Sequence, residues 1–333
     1  MANQRDVAKA AGVSSASVSR FLNNPESVSK ESAERIQSAI KKLAYRIDHS
    51  ALSLKTGKYY RIGIIAASYG SFYLEILSTL EEMLSEAGYY VNIYFTRQFD
   101  YDNVYRSFNV SKLLNKQADG YILFPLLTEN DDNIMQQLHE MKEPFVVVDR
   151  PVDLPGIHQV LMDNYNAGCI AARKLIAAGR KKFLFIWGLR DISSSVERFN
   201  GFHDELAKNG IGLPSERQID GNFDPEFTYN MISKSELPEF DGVFASNDYS
   251  ASGFIKAAAA KGLYSPRDYS IIGFDNNPVS PFLTPSLSTF SQPLREFGKI
   301  AASKLLALLA GKETEKISVL KPQYIERGSV FSE

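Results

Sequence analysis

Gly12 stands between two short apolar stripes, and that arrangement constrains the first part of the chain more than any other feature. Before it, Val7, Ala8 and Ala11 fall at i, i+1 and i+4 on one helical face. After it, Val18, Phe21 and Leu22 repeat the pattern on a second helix. A glycine adopts turn backbone that a Cβ opposes. Ala8 and Ala11 are small enough for two helices to cross closely, and Ser14 is placed to cap the second. A third helix follows, with Ser29 as its cap and Ile36, Ile40 and Leu43 at i, i+4 and i+7. Three short helices with a shared apolar face make a minimal core.

This is the spacing of a helix-turn-helix, a motif whose second helix enters the major groove of DNA. Charge agrees with that reading. Residues 1–58 hold ten Lys/Arg and five Asp/Glu, a balance of +5, and the remainder of the chain carries −7. A basic head on an acidic body is the footprint of a small DNA-binding domain carried by a sensor.

Beyond the head, 275 of the 333 residues remain, enough for two domains of ordinary size. They alternate apolar strands with amphipathic helices. Strands are expected at 61–66, 89–94, 120–123, 144–148, 183–186, 242–245 and 270–274, with helices between them, including Phe72 to Ala87 and one near Val104–Asn115. That alternation means parallel sheets covered on both faces, and two such runs give two Rossmann-like subdomains. Loops at the carboxyl ends of parallel strands converge on a crevice between two such sheets. Asp149, Asn247, Asp248 and Asp275 sit at those ends, and Arg198 could add donors from a helix start after Ser193–Ser195. Such residues either hold the hydroxyls of a sugar or cap the next helix. Asp248 is expected only to cap.

Other classes lack support. The sequence has no GxGxxG, Walker loop, HExxH or GxSxG, so no catalytic residue is expected. His49, His139, His158 and His203 show no metal spacing, and no metal or cofactor is implied. No apolar run approaches the ~20 residues of a membrane span. Met1 to Asp6 is not a hydrophobic signal segment, and Cys169, expected in the core, is the lone cysteine. Both point to the cytoplasm.

The words Asp6-Val7-Ala8, Ala11-Gly12-Val13-Ser14, Val18-Ser19-Arg20, Leu22-Asn23, Val28-Ser29, Tyr45-Arg46 and Ser53-Leu54 carry a resemblance. So do Val147-Val148-Asp149-Arg150, Asp163-Asn164, Glu197 to Phe202, Ala245 to Asp248, Gly273-Phe274-Asp275 and Leu283-Thr284-Pro285. The chain resembles, nearly end to end, the lactose/galactose repressor (LacI/GalR) family of bacterial transcription regulators. The resemblance implies an N-terminal all-α helix-turn-helix domain followed by an α/β periplasmic-binding-protein-like sensor of two Rossmann-like subdomains with parallel sheets. By it, Ser15, Ala16 and Arg20 face base edges, while Ser14, Ser17, Ser19 and Asn23 hold phosphates or the helix position. Arg20 suits a guanine, because its fork donates to both O6 and N7. The implied effector contacts are Asp149, Arg198, Phe223, Asn247, Asp275 and Gln292, with Ser71, Phe72 and Tyr73 across the cleft. Phe223 would stack on a sugar face or a flat base. Trp187 either narrows this pocket or fills the core beneath it.

The resemblance also implies a hinge helix from Ile47 to Leu54, with Ala51 and Leu54 at the minor groove and Leu54 as a wedge between base pairs. Here Ile47-Asp48 replaces the family's usual Pro-Asn, which removes a fixed φ. The implied divisions are a head over 1–46, the hinge and linker over 47–58, one sensor subdomain from 60–160 with about 291–320, and the other from 161–290 with about 321–333. The expected protein is a homodimeric repressor on a pseudo-palindromic double-stranded operator, with no membrane partner, gated by a small molecule, a carbohydrate being favoured. A purine or sugar phosphate corepressor, or a protein partner, is the alternative.

Overall fold

The computed structural model describes residues 2–23, 25–45, 57–66, 71–95, 118–124 and 129–330. It divides into two units, Met1–Tyr60 and Arg61–Glu333.

In the first unit, helix α1 (Gln4–Ala11) starts on a reciprocal cap. Asn3 Oδ1 accepts from the Arg5 and Asp6 N–H groups, and the Asp6 carboxylate accepts from the Asn3 N–H at 2.8 Å. Donors that a helix start leaves without partners are thereby satisfied. Gly12 follows at φ 63°. A Cβ built there would meet nothing within 4 Å, so it is backbone conformation and not space that demands glycine. Helix α2 (Ser15–Asn23) starts on Ser14, whose Oγ accepts from the Ser17 N–H at 3.0 Å. A single 3-10 turn, Pro25–Ser27, leads to α3 (Lys30–Lys42), capped by Ser29. Val7, Ala8, Ala11, Val18, Ile36 and Ala39 are buried together, with Phe21, Leu22, Ile40 and Leu43 packed around them.

The second unit holds two parallel sheets. The larger runs β11 (Ile317–Leu320), β5 (His158–Met162), β4 (Phe145–Val148), β3 (Gly120–Leu123), β1 (Arg61–Ala66), β2 (Tyr90–Phe95). Helices α4 (Ser71–Glu86) and α10 (Leu294–Leu309) bury one face around Ile62, Ile64, Val146 and Val148. Helix α5 (Glu129–Glu140) covers the other through Ile134, Met135 and Leu138. The smaller sheet runs β7 (Gln218–Asp220), β6 (Phe183–Trp187), β8 (Gly242–Ala245), β9 (Ser270–Ile272). Helices α6 (Asn164–Ala177) and α7 (Ser193–Lys208) cover one face, and α8 (Pro225–Lys234) and α9 (Asp248–Ala260) the other. An antiparallel pair, β10 (Thr289–Ser291) with β12 (Gln323–Ile325), completes this lobe. The chain therefore passes between lobes three times: after β5, after β10 and after β11.

The parallel α/β architecture is the one expected, with three differences. The strand expected over 270–274 ends at Ile272; beyond it the chain keeps only isolated bridges, Ile272 to Ser288 and Asp275 to Ser291. Strands β5, β7, β10, β11 and β12 went unanticipated; several have three residues, too few to show a period. The helix expected near Val104–Asn115 lies outside the described residues. Among the described residues, no helix is long and apolar enough to cross a membrane.

One packing detail positions the site. Helices α6 and α7 cross at Gly168 and Gly201. A Cβ on Gly201 would sit 1.8 Å from the Tyr165 carbonyl oxygen, and one on Gly168 would sit 2.2 Å from that of Arg198. Two backbones in direct contact leave no room for either carbon.

Candidate functional site: a helix surface and a cleft built around Arg198

On the head, α2 turns Val18 fully inward and leaves Ser14, Ser15, Ala16 and Arg20 exposed, with Ser17 and Ser19 half-buried. Ala16 and Arg20 are one turn apart, and Arg20 Nε reaches the Ala16 carbonyl at 3.4 Å. Ser14 is occupied as the cap, and its Oγ also lies 2.9 Å from Ser17 Oγ. Asn23 closes the helix. Ala51 and Leu54 lie outside the described residues.

In the sensor, the carboxyl ends of β4, β5, β6, β8 and β9 bring Asp149, Asn164, Gly188, Asn247 and Asp275 towards Arg198. Arg198 is 4 % exposed. Its Nε donates to Asn164 Oδ1 at 2.9 Å, its Nη1 donates to the Ser246 carbonyl at 2.6 Å, and its plane lies 3.5 Å over the Phe274 ring. It sits in the second turn of α7, not at the helix start where sequence reasoning put it; the Gly168–Gly201 crossing sets that turn against Asn164.

Two carboxylates turn towards this guanidinium on unusual backbone. Asp149 has φ 73° and Asp275 φ 107°, a region that costs a non-glycine residue about 1–3 kcal/mol. Burial pushes the Asp149 carboxyl up, against the pull of Arg198. Burial pushes Asp275 up to about 7, again against Arg198. Gln292 Nε2 donates to Asp275 Oδ1 at 2.8 Å, while Gln292 Oε1 is buried and has no donor among the described residues. Tyr73, on α4 of the other lobe, stands edge-on to Phe72 and Phe124, and its phenol is raised by burial and then by Asp149 and Asp275. Tyr73 thus shares the field of both carboxylates. Ser71 opens α4, and its side chain lies outside what the structure describes.

Phe223 and its neighbour Asn222 are both left-handed, at φ 58° and 52°. The Phe223 ring lies flat on Gly188, where a Cβ would sit 2.1 Å from it. Asn247 caps α9 through Oδ1 to the Ser250 N–H at 2.8 Å, and its Nδ2 donates to the Phe223 carbonyl at 3.3 Å. It is therefore both a cap and the clasp of the aromatic loop.

Asp248 is the correction. It is no cap: it is fully buried, and its carboxylate accepts from Thr289 Oγ1 at 2.6 Å, Ser280 Oγ at 2.6 Å and the Asn277 N–H at 2.8 Å. Burial still holds it at about 6. The neighbouring Asn247, and not Asp248, accepts from the helix start, because Asp248 is already inside the helix.

Trp187 fills the core. It is 6 % exposed, lies 4.3 Å from Phe199 and 5.1 Å from Phe185, and donates to Gln218 Oε1 at 3.3 Å. Cys169 is buried, as expected. Sequence reasoning missed Asn164 as a site residue, and Glu197 with it. Both line a cavity of about 390 Å³, together with Asp149, Met162, Asp163 and Tyr165. This cavity shares Asp149 with the Asp275 side of the cleft but does not reach Phe223 or Gln292. No group of three or more His, Cys, Asp or Glu among the described residues could hold a metal ion.

A helix-turn-helix head followed by a two-lobed α/β sensor with polar groups converging between its lobes defines a class: the ligand-responsive bacterial regulator. Known proteins agree. Residues 4–48 match the model of bacterial regulatory proteins of the lacI family, and residues 172–330 match a periplasmic binding protein-like domain. The HTH-type transcriptional repressor PurR of Klebsiella pneumoniae (strain 342) is 30 % identical over 336 residues, covering 99 % of this chain and 97 % of its own length. PurR of Erwinia tasmaniensis is 31 % identical over 343 residues, with the same coverage. Among solved structures, the lac repressor dimer bound to operator and the anti-inducer ONPF superposes with TM-score 0.85 at 22 % identity, over 99 % of each chain. The regulator CelR in complex with cellobiose gives 0.75 at 25 %, over 99 % of this chain and 100 % of its own. The chain belongs to the lacI family of bacterial regulatory proteins.

Proposed function

We propose that this regulator is a homodimeric transcriptional repressor whose grip on a two-fold symmetric operator is set by a small molecule held between the sensor lobes. The observation that carries this reading is the Arg198 cluster. Two strained aspartates, a buried guanidinium and an aromatic floor meet where chain from both lobes converges. Strain of this kind persists where it serves a site. Carboxylates with fixed geometry beside an apolar ring suit a polyhydroxylated molecule, whose hydroxyls donate while its C–H face stacks.

In this reading Ser15, Ala16 and Arg20 face the major groove, with Ser14, Ser17, Ser19 and Asn23 holding phosphates or the helix position. Ala51 and Leu54 meet the minor groove from a hinge over 47–58. The sensor subdomains comprise 60–160 with about 291–320, and 161–290 with about 321–333. Ligand binding changes how the lobes sit, and by linkage the ligand and the operator alter each other's affinity equally. The protein turns over no substrate and works in the cytoplasm, beside its DNA.

The test is selection of bound duplexes from a random pool by the purified protein, with and without pooled sugars and nucleobases. A two-fold symmetric site whose enrichment changes with the pool supports the reading. A symmetric site indifferent to every ligand would leave a DNA-binding protein without the proposed gate.

A further inference from the structure

The larger sheet ends on one side at β11, which pairs only with β5 among the described residues. The N–H groups of Gln159 and Asp163 donate to the Lys316 and Leu320 carbonyls at 2.7 and 2.8 Å. The inward and outward bonds of a parallel strand alternate, so the N–H and carbonyl groups of Ile317 and Val319 point away from the sheet. The side chains alternate too. Leu320 packs against the core under α10, while Ile317 and Val319 face the other way and are 46 % and 55 % exposed. Leu161 stands in register with Val319, and both line the cavity of about 390 Å³ together with Pro151 and Tyr165. A β-branched pair on an open edge thus runs into an apolar wall.

The two ends of this edge are cationic. Lys316 precedes the strand and Lys321 follows it, five positions apart. Lys316 Nζ donates to the Gly156 carbonyl at 3.2 Å, and the buried Lys304 Nζ donates to the Glu315 carbonyl. Both ammonium groups therefore meet neutral oxygens, while the Glu315 carboxylate accepts from Ser318 Oγ at 2.7 Å. Burial, and after it Lys316 and Lys304, push the His158 ring below its ordinary value, so the field at this end is positive. Lysine at an open edge disfavours pairing with a like strand. A second copy, laid in either direction, would bring lysine beside lysine, whereas a strand with acidic ends would complement both.

We propose that β11 is a docking edge for another protein, whose extended, acidic-ended segment adds to the six-stranded sheet as a further strand. Its β-branched side chains lie against Ile317 and Val319, and its carboxylates against Lys316 and Lys321. Main-chain bonds to Ile317 and Val319 supply the grip, and the charged ends set the choice of partner. The edge also belongs to the joint between the lobes. The Leu320 carbonyl takes the Asp163 N–H, which ties the crossover after β5 to the one after β11.

The test uses the full chain and fluorescein-labelled synthetic peptides, read by fluorescence polarisation. One peptide carries the core Glu-Val-Thr-Val-Thr-Glu, which repeats the spacing of the two lysines. The control replaces both Glu by Lys. The acidic peptide is expected to bind about tenfold more tightly than the control at about 0.05 M salt, and the ratio should shrink at about 0.5 M. Val319→Pro removes an outward N–H and leaves the bonds to β5 in place, since proline is tolerated on an edge. It should abolish binding of the acidic peptide with the circular dichroism and Tm of the sensor kept. Lys321→Glu should erase most of the preference for the acidic peptide, and this still decides the matter if Val319→Pro does not fold. No binding of the acidic peptide up to about 1 mM overturns the proposal. Equal binding of the two peptides, or unchanged binding to Val319→Pro, does the same. Sedimentation equilibrium of the wild type beside Val319→Pro checks the other occupant. A larger assembly that the variant loses would assign the edge to a second copy, and the proposal falls.

Discussion

Arg198 Nε donates to Asn164 Oδ1 at 2.9 Å, joining the second turn of α7 to the first residue of α6 inside a closed core. This bond holds the guanidinium between two aspartates that would otherwise repel each other. Removing one partner of a buried charge arrangement costs about 3–5 kcal/mol, because the remaining charges stay buried without compensation. Arg198→Leu is expected to lower sensor stability by that order in urea denaturation and to abolish the response to ligand. Operator binding without ligand should change less than threefold in gel shift. A variant that still responds to ligand would remove Arg198 from the site.

Asp248 holds the loop after β9 to β10. Asp248→Ala leaves the Thr289 and Ser280 hydroxyls and the Asn277 N–H facing an empty space, and at about 1–3 kcal/mol for each buried group a loss of at least ~3 kcal/mol is expected. Chemical denaturation checks it. A loss below ~1 kcal/mol would mean that these three donors find other partners and that Asp248 does not hold the loop.

Asp275 and Asp248, at about 7 and about 6, titrate far above the unfolded carboxylate value of about 3.9. The folded chain keeps these protons over a range where the unfolded chain has released them. The two groups therefore favour the fold below about pH 4, withdraw that support as pH rises to about 7, and change nothing above it. Urea midpoints of the ligand-free protein should fall between pH 5 and pH 7 and level off by pH 8. Asp275→Asn should flatten the upper part of that slope, and an unchanged slope would mean that Asp275 ionises normally.

Gly201→Ala places a methyl against the Tyr165 carbonyl and pushes α7 off α6. Overpacking of this kind costs about 1–3 kcal/mol, and more where backbone must move. Because the same crossing seats Arg198, the ligand response should be lost along with stability. Retained response with reduced Tm would separate the crossing from the site.

On the head, Arg20→Ala is expected to relax specificity at one guanine position of each half-site by about 1–3 kcal/mol. Ser14→Ala removes the α2 cap and should cost about 1 kcal/mol of head stability. Selection from randomised half-sites distinguishes them, since only the first should change the preferred sequence.

The head was legible in sequence because every signal there is local. The Gly12 turn, the Ser14 and Ser29 caps and the apolar stripes each lie within one or two helical turns. The strand-helix alternation of the sensor was legible for the same reason, through continuous apolar runs such as Phe145–Val148. Asp149 and Asp275 could be picked out as strand-end carboxylates, but the positive φ that turns them inward has no signature in a non-glycine residue. Asp248 and Asn247 are adjacent and both plausible caps; Asp248 is taken up by partners 29 to 41 positions away, beyond any local pattern. Asn164 and Glu197 were hidden because the cavity they share is assembled only where α6 crosses α7.

The threefold passage between lobes has a kinetic consequence. Strand β11 finishes the larger sheet, and a few residues later Ser329 bonds the Ile271 carbonyl and the Ser288 N–H in the other lobe. Contacts this distant in sequence slow folding, because long loops must close before they are rewarded. Neither lobe can finish folding until the segment around residues 317–330 has left the ribosome. The helical head, whose contacts are local, can fold long before that. During synthesis the regulator therefore passes through a stage at which its DNA-reading part is complete and the part that responds to ligand is not.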